Sequence, residues 1–184
     1  DFHKTMEAYC DTKAQLFSRC DWAVLNGDDP WYQRIREAAR CPVMTLSSGM
    51  EADLRAEDVI LRADGISFRA VCGGRQIAVS VPIPGRFTVS NTLTVLGVAR
   101  SLGISLEDAA AALAQAEGVK GRVEVVPTPG KPYTVLIDYA HTPDGLENVL
   151  RSVRDYCQGR IISVFGCGGD RDPMKRPIMG QIGV

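Results

Sequence analysis

Two stretches gather side chains able to do chemistry: Asp138-Tyr139-Ala140-His141-Thr142-Pro143-Asp144-Gly145 and Phe165-Gly166-Cys167-Gly168-Gly169-Asp170-Arg171-Asp172. The first brings a carboxylate, a phenol and an imidazole. The second brings glycines whose amides can approach an anion closely, followed by an Asp-Arg-Asp cluster. Each follows a short apolar run rich in β-branched residues, Tyr133 to Ile137 and Ile161 to Phe165, so each reads as a loop at the carboxyl end of a buried strand. Open α/β sheets hold their ligands at that end of their strands. Polar groups gathered there point to an active site.

The elements that must position these loops follow from the rest of the chain. Met6, Tyr9, Cys10, Lys13, Leu16 and Phe17 recur at helical spacing between about Thr5 and Arg19, which predicts an amphipathic helix with Lys13 on or beside its apolar face. Trp22 to Leu25 reads as a buried strand, Asp29 and Pro30 as the cap and first residue of a helix running to about Ala39, and Pro42 to Leu46 as another strand. Strand, helix and strand in that order predict a parallel sheet. The period then falls to two. Val59 to Arg62, Ile66 to Val71 and Gln76 to Val81, parted by Ala63-Asp64-Gly65 and Gly73-Gly74, predict a small antiparallel sheet.

Val89 to Leu102 reads as a helix closed by Gly103, and Ser105 as the cap of the next, with Glu107 and Asp108 in its first turn. A domain boundary is expected where that pattern fades near Glu117 to Gly121, dividing residues 1–119 from 120–184. Beyond it, Arg122 to Val126 and Tyr133 to Ile137 read as strands and Thr142-Pro143 as the start of a helix running to about Cys157. Arg160 to Phe165 reads as a further strand, with a helix beginning near Pro173.

Of the 184 residues, 45% are hydrophobic and 23% charged, within the range of a globular protein. The formal net charge of -1 gives no electrostatic reason for nucleic acid or an anionic membrane as partner. No apolar run approaches the roughly 20 residues a membrane helix needs. No signal peptide is read, so a cytoplasmic location is expected. The six cysteines form no CxxC pair, which argues against a zinc or redox motif and for buried or idle thiols. The chain opens on Asp1 and closes on Gln181-Ile182-Gly183-Val184 inside a helical pattern, so a fragment of a longer protein is expected.

Phe87-Thr88-Val89-Ser90-Asn91, Gly121-Arg122-Val123-Glu124, the Asp138 to Pro143 run and the Phe165 to Asp172 run stand in the order and spacing of the Mur ligases, and the chain resembles that family over essentially its whole length. The single pieces are weak; the last two together are specific. The resemblance implies the later part of a three-layer, parallel-sheet ATP-binding domain with a small antiparallel sheet, then the start of a Rossmann-like domain. It implies ATP-dependent ligation, through an acyl phosphate, of a diamino acid (meso-diaminopimelate or L-lysine) to UDP-N-acetylmuramoyl-L-alanyl-D-glutamate, with ATP and Mg2+ required and a monomeric enzyme. Two family motifs are missing. The GxxxxGK[ST] phosphate loop is absent, since Gly130-Lys131 is followed by Pro132, and so is the Asp-Asn-Pro-Arg motif that holds diaminopimelate. The fragment alone is therefore expected to be inactive.

By the same resemblance, Lys13 in Tyr9-x-x-x-Lys13 is the N-carbamylated lysine that helps place magnesium, since CO2 turns a cation into an oxygen ligand suited to a hard metal. The alternative is a lysine reaching from a helix to water. Asn91 matches a contact on the adenine side of ATP, with Thr88 standing where asparagine is common. Arg122 matches the arginine that reaches the terminal phosphate, for which a guanidinium offers paired donors. Asp138 matches a ribose contact and His141 a contact near the phosphates, with a bond to a loop carbonyl as the alternative for His141. Arg171 matches the arginine that binds the incoming amino acid's carboxylate, with Asp170 and Asp172 orienting it. His3 is read as a neighbour of the site. Sister amide ligases and a non-catalytic nucleotide-binding module are the competing readings; the latter would require a GxGxxG turn, which the chain lacks.

Overall fold

The computed structural model describes residues 3–169 and 172–184, which divide into two compact units. The first unit comprises residues up to Ile60, Ser67–Ser80 and Val89–Gln115; the second comprises Leu61–Ile66, Val81–Thr88 and Ala116–Val184.

The chain opens with α1 (Met6–Ala14), whose cap Thr5 accepts the Ala8 amide at 3.2 Å, followed by a 3-10 turn over Gln15–Ser18. Only Cys10 and Ala14 of α1 are buried, while Met6, Tyr9 and Leu16 are exposed and so is Lys13. Of the apolar stripe expected for this helix, only Cys10 is buried. Periodicity locates a stripe; the packing partner decides which part of it is covered.

Strands β1 (Ala23–Asn26) and β2 (Val43–Ser47) flank α2 (Tyr32–Ala38) and pair in parallel from Ala23↔Val43 to Asn26↔Leu46. Helix α2 starts after the expected Asp29-Pro30 position, because the Asp29 carboxylate accepts the Trp31 amide at 2.7 Å and closes a turn there first. Strand β3 (Leu54–Arg62) pairs in parallel with β2 at Leu46↔Leu54 and Ser47↔Arg55. It starts level with the end of β2, so the short link over residues 48–53 needs no crossover helix.

Strands β4 (Gly65–Cys72) and β5 (Arg75–Val81) complete a five-stranded sheet in the order β1-β2-β3-β4-β5. Their two-residue connections can join only antiparallel neighbours. Gly73 and Gly74 sit at φ 56° and 80°, as the turn between β4 and β5 requires. The antiparallel strands thus continue the parallel ones in a single sheet.

Helix α3 (Arg86–Ser101) begins three residues before its expected start and buries Val89, Leu93 and Leu96. It ends where Gly103, at φ 79°, lets the Ile104 amide reach the Ala99 carbonyl at 2.9 Å. Ser105 caps α4 (Leu106–Leu113) by accepting the Asp108 amide at 3.0 Å. Alternation along the strands puts Val24, Met44 and Leu46 on one face of the sheet and Thr45 on the other. Gly97 of α3 lies against the first set, while Tyr32 of α2 hydrogen-bonds Thr45 at 2.8 Å. Helices therefore cover both faces, giving three layers.

A Cβ at Gly97 would stand 2.8 Å from Val24 Cγ1 and 3.2 Å from Leu46 Cδ2. Gly97→Val is expected to destabilise the protein by about 2 kcal/mol through overpacking. A urea unfolding midpoint equal to wild type would contradict this close approach.

The second unit contains β6 (Glu124–Val126) and β7 (Val135–Ile137), an antiparallel pair registered at Val125↔Leu136, then α5 (Pro143–Arg154) and α6 (Lys175–Ile182). Thr142 caps α5 as expected, accepting the Gly145 amide at 3.1 Å. The strand expected over Arg160 to Phe165 does not form, and Ile162 and Val164 are 71% and 93% exposed. Tyr133, Val135 and Ile137 are also exposed, against the expectation of a buried strand. A buried parallel strand needs neighbours at both edges and cover on both faces. Among the described residues, β7 has only β6 beside it.

Candidate active site

In the first unit, Lys13 lies in the last turn of α1 with its Nζ 5.4 Å from the Tyr9 ring centroid, and the Tyr9 ring lies 5.4 Å from that of His3. The four-residue spacing stacks Tyr9 and Lys13 on one helix face. Lys13 is exposed, and among the described residues no carboxylate forms an ion pair with it. Nor, among the described residues, do three or more His, Cys, Asp or Glu side chains gather to hold a metal.

The loops after β1 and β2 are knitted together. Asp28 accepts from the Ser47 hydroxyl, from the Ser48 amide at 2.8 Å and from the Ser48 hydroxyl at 3.1 Å. Ser47 Oγ in turn accepts the Gly49 and Met50 amides at 2.9 and 2.8 Å, and Asn26 Oδ1 accepts the Asp28 amide at 3.1 Å. The polar groups at this strand end thus shape the loops themselves. All but one of these bonds involve Ser47 or Ser48, which no motif marks in the sequence.

Partial burial opposes charge on Asp28, but these donors outweigh it and hold the carboxyl below its ordinary 3.8. A carboxyl lowered by folding contributes stability above its unfolded value, and that stability is lost as pH falls toward the folded one. Asp28→Ala is expected to cost about 2 kcal/mol near neutrality, by stranding the serine and amide donors. Chemical denaturation at about pH 7 and about pH 3 tests this: the gap between wild type and variant should narrow in acid. A constant gap would mean that Asp28 is not charged in the fold.

Asn91 is exposed in the second turn of α3, deeper in the helix than its expected place near the start, because the helix begins at Arg86. Thr88 is buried and donates to the Pro84 carbonyl at 3.0 Å, so its hydroxyl is committed to the helix start.

The second unit brings Arg122, Asp138, Tyr139 and His141 together. Arg122 lies between Gly121 at φ 73° and Val123 at φ 46°. A positive φ is costly for a β-branched residue, so something must hold Val123 there. Asp138 does so: its Oδ2 accepts the Val123 amide at 2.8 Å and its Oδ1 the Ala140 amide at 2.7 Å. The turn is closed twice more, by the Gly121 amide donating to Glu124 Oε2 at 2.7 Å and the Tyr139 amide to the Gly121 carbonyl at 2.8 Å. The Arg122 guanidinium then rests over the Tyr139 ring, 5.8 Å from its centroid. Arg122 is exposed, and among the described residues no carboxylate pairs with it.

The His141 ring stands 5.2 Å from that of Tyr139, on a loop whose carbonyls fix its tautomer. Its Nδ1–H donates to the Tyr139 carbonyl at 3.1 Å, the local bond read as the alternative role, which leaves Nε2 as the acceptor of the neutral ring. The two loops are also joined through the start of α6. Lys175 Nζ donates to the His141 carbonyl at 3.0 Å, and Arg176 donates to the Gly169 carbonyl. Both side chains target backbone carbonyls, which no side-chain pattern reveals. Asp172 accepts the Met174 amide at 2.9 Å. Arg171 and Asp170 lie outside the described residues.

The sequence matches the Mur ligase middle domain over residues 1–99 and the Mur ligase glutamate ligase domain over residues 121–184. The UDP-N-acetylmuramoyl-L-alanyl-D-glutamate--2,6-diaminopimelate ligase of Clostridioides difficile (strain 630) is 43% identical over all of this chain, and that of Clostridium tetani (strain Massachusetts / E88) is 45% identical. The chain spans 38% of the length of each. A solved structure of a ligase with the same name superposes with a TM-score of 0.75 at 33% identity, over 98% of this chain and 38% of the other. MurF from Acinetobacter baumannii shares the fold, with a TM-score of 0.75 at 24% identity over 84% of this chain and 34% of the other. With both family domains matched in order and this set of relatives, the chain belongs to the Mur ligase family.

Proposed function

We propose that the full-length protein is an ATP-dependent ligase that joins a diamino acid to UDP-N-acetylmuramoyl-L-alanyl-D-glutamate. The observation that carries this reading is Arg122, a guanidinium seated on Tyr139 by a strained, clamped turn in a chain similar to diaminopimelate ligases over its whole length. Residues 1–119 belong to the ATP-binding domain and 120–184 open the domain that receives the amino acid. The substrate's D-glutamyl carboxylate attacks the terminal phosphorus of ATP, releasing ADP and leaving an acyl phosphate. The amine then attacks that carbonyl and phosphate departs.

Negative charge builds on the phosphoryl oxygens in the first step, and Arg122 is the group that meets it. Asp138 keeps a further lone pair on each oxygen for the ribose hydroxyls, His141 is assigned a place near the phosphates, and Asn91 serves the adenine side. Lys13, exposed and without an ion pair among the described residues, fits conversion to a carbamate that supplies one oxygen ligand to Mg2+. The metal's contribution is to neutralise phosphate charge. The protein is assigned as a cytoplasmic monomer working on small-molecule substrates; no helix among the described residues is long and apolar enough to cross a membrane.

Arg171 is assigned to the carboxylate of the incoming amino acid. Arg171→Ala should raise the KM for that amino acid by about a hundredfold, the cost of stranding a paired charge, and leave the KM for ATP near its original value. A change confined to ATP would move Arg171 to the nucleotide. The substrate itself is tested by supplying the full-length protein with ATP, the UDP-linked dipeptide and either meso-diaminopimelate or L-lysine. Release of ADP matched by a tripeptide product with one of the two amines supports the reading, and ADP release without product contradicts it.

A further inference from the structure

Cys20 and Cys41 belong to no sequence motif, yet their sulfurs stand 3.5 Å apart. The backbone on either side fixes this meeting. The Arg40 amide donates to the Phe17 carbonyl at 3.1 Å, the Ala23 amide donates to the Pro42 carbonyl at 2.9 Å, and Ala23 and Val43 are partners in the β1–β2 ladder. Each thiol thus sits on the short connector entering one of two neighbouring parallel strands. Cys10 and Cys72 are sealed in the core, whereas Cys20 and Cys41 are only part-buried and can meet a small reagent. Among the described residues no third ligand joins them to make a metal site. A close, accessible pair of thiols without a third ligand is arranged for thiol–disulfide exchange.

We propose that Cys20 and Cys41 form a dithiol site that takes low-molecular-weight disulfides of the glutathione class and closes to an intramolecular disulfide. Burial and the adjoining Cys20 sulfur push the Cys41 thiol up, and Cys41 Sγ donates to the Phe17 carbonyl at 3.8 Å, so the first attack falls to Cys20. The Cys20 thiolate attacks one sulfur of the small disulfide; a mixed disulfide forms, the reagent's S–S bond breaks and a small thiolate leaves. Cys41 then gives up its proton and attacks the Cys20 sulfur, forming the Cys20–Cys41 bond and expelling the second small thiolate. Two cysteines are oxidised, one disulfide is reduced, and the two cysteine protons end on the two small thiols. The bond would tie together the connectors on either side of α2, so oxidation should raise the thermal midpoint.

The test uses the full-length protein incubated with oxidised glutathione, alkylated and mapped by mass spectrometry. The expected result is a Cys20–Cys41 linked peptide pair, with Cys41→Ser instead retaining a glutathione adduct on Cys20. Free thiols at both positions in the wild type, a lasting adduct on Cys20 without linkage, or linkage of either to another cysteine would each overturn the proposal. This outcome is independent of whether the protein ligates.

Discussion

Lys13→Ala in the full-length protein is expected to lower ligation turnover by at least about a thousandfold, the equivalent of some 4 kcal/mol of lost charge stabilisation at the phosphates. The effect depends on a chemical change in the side chain. An ammonium on an exposed helix face would add little beyond its charge, but its carbamate presents anionic oxygen to a hard cation. Alanine has no amine to react with CO2, so added bicarbonate should not restore turnover. Lys13→Arg should fail as well, since it retains positive charge and supplies no oxygen. Because Lys13 is exposed and its packing against Tyr9 is a surface contact, the thermal midpoint of either variant should stay close to wild type. Turnover near normal in Lys13→Ala would remove the carbamate from the account.

Arg122→Ala should reduce kcat by about 10² to 10³, the usual cost of deleting one preorganised donor to a developing oxyanion. Arg122→Lys should recover only a small part. A guanidinium presents a planar pair of donors and stacks on the Tyr139 ring, whereas an ammonium is a point charge without that fork. The seat predicts a second effect. Asp138→Ala would leave the Val123 and Ala140 amides without acceptors and release the positive φ at Val123, so the arginine would lose its aim while remaining in the chain. The Arg122 and Asp138 losses should therefore be far from additive when combined. Full additivity, measured in single-turnover kinetics, would mean that the two residues act separately.

Features written in local chemistry were legible in the sequence. Gly73-Gly74, Gly103, Ser105 and Thr142-Pro143 each satisfy a backbone need within a few residues, and each does what its type predicts. Burial was less legible, because it depends on partners. The stripe through Met6, Tyr9 and Leu16 has helical period yet lies open, and Val135, Ile137, Ile162 and Val164 read as core strand residues yet stand exposed. The same division runs through the site. The residue types of Asp138, His141 and Arg122 were apparent from the motifs, but the tasks of Asp138 toward Val123, fifteen residues away, and of Lys175 toward the His141 carbonyl depend on backbone positions that side-chain identity does not encode. Likewise, Cys20 and Cys41 meet only because two parallel strands begin side by side.

The proposed ligation depends on ATP activating the D-glutamyl carboxylate as an acyl phosphate. Its most direct measurement is to supply the full-length protein with UDP-linked dipeptide carrying heavy oxygen in that carboxylate, together with ATP and meso-diaminopimelate, and to weigh the phosphate released. A labelled oxygen is expected to pass from the carboxylate into the phosphate, with ADP formed in equal amount. Unlabelled phosphate accompanying product would show that the carboxylate never received the phosphoryl group, and would contradict the role assigned to Arg122 along with the reaction.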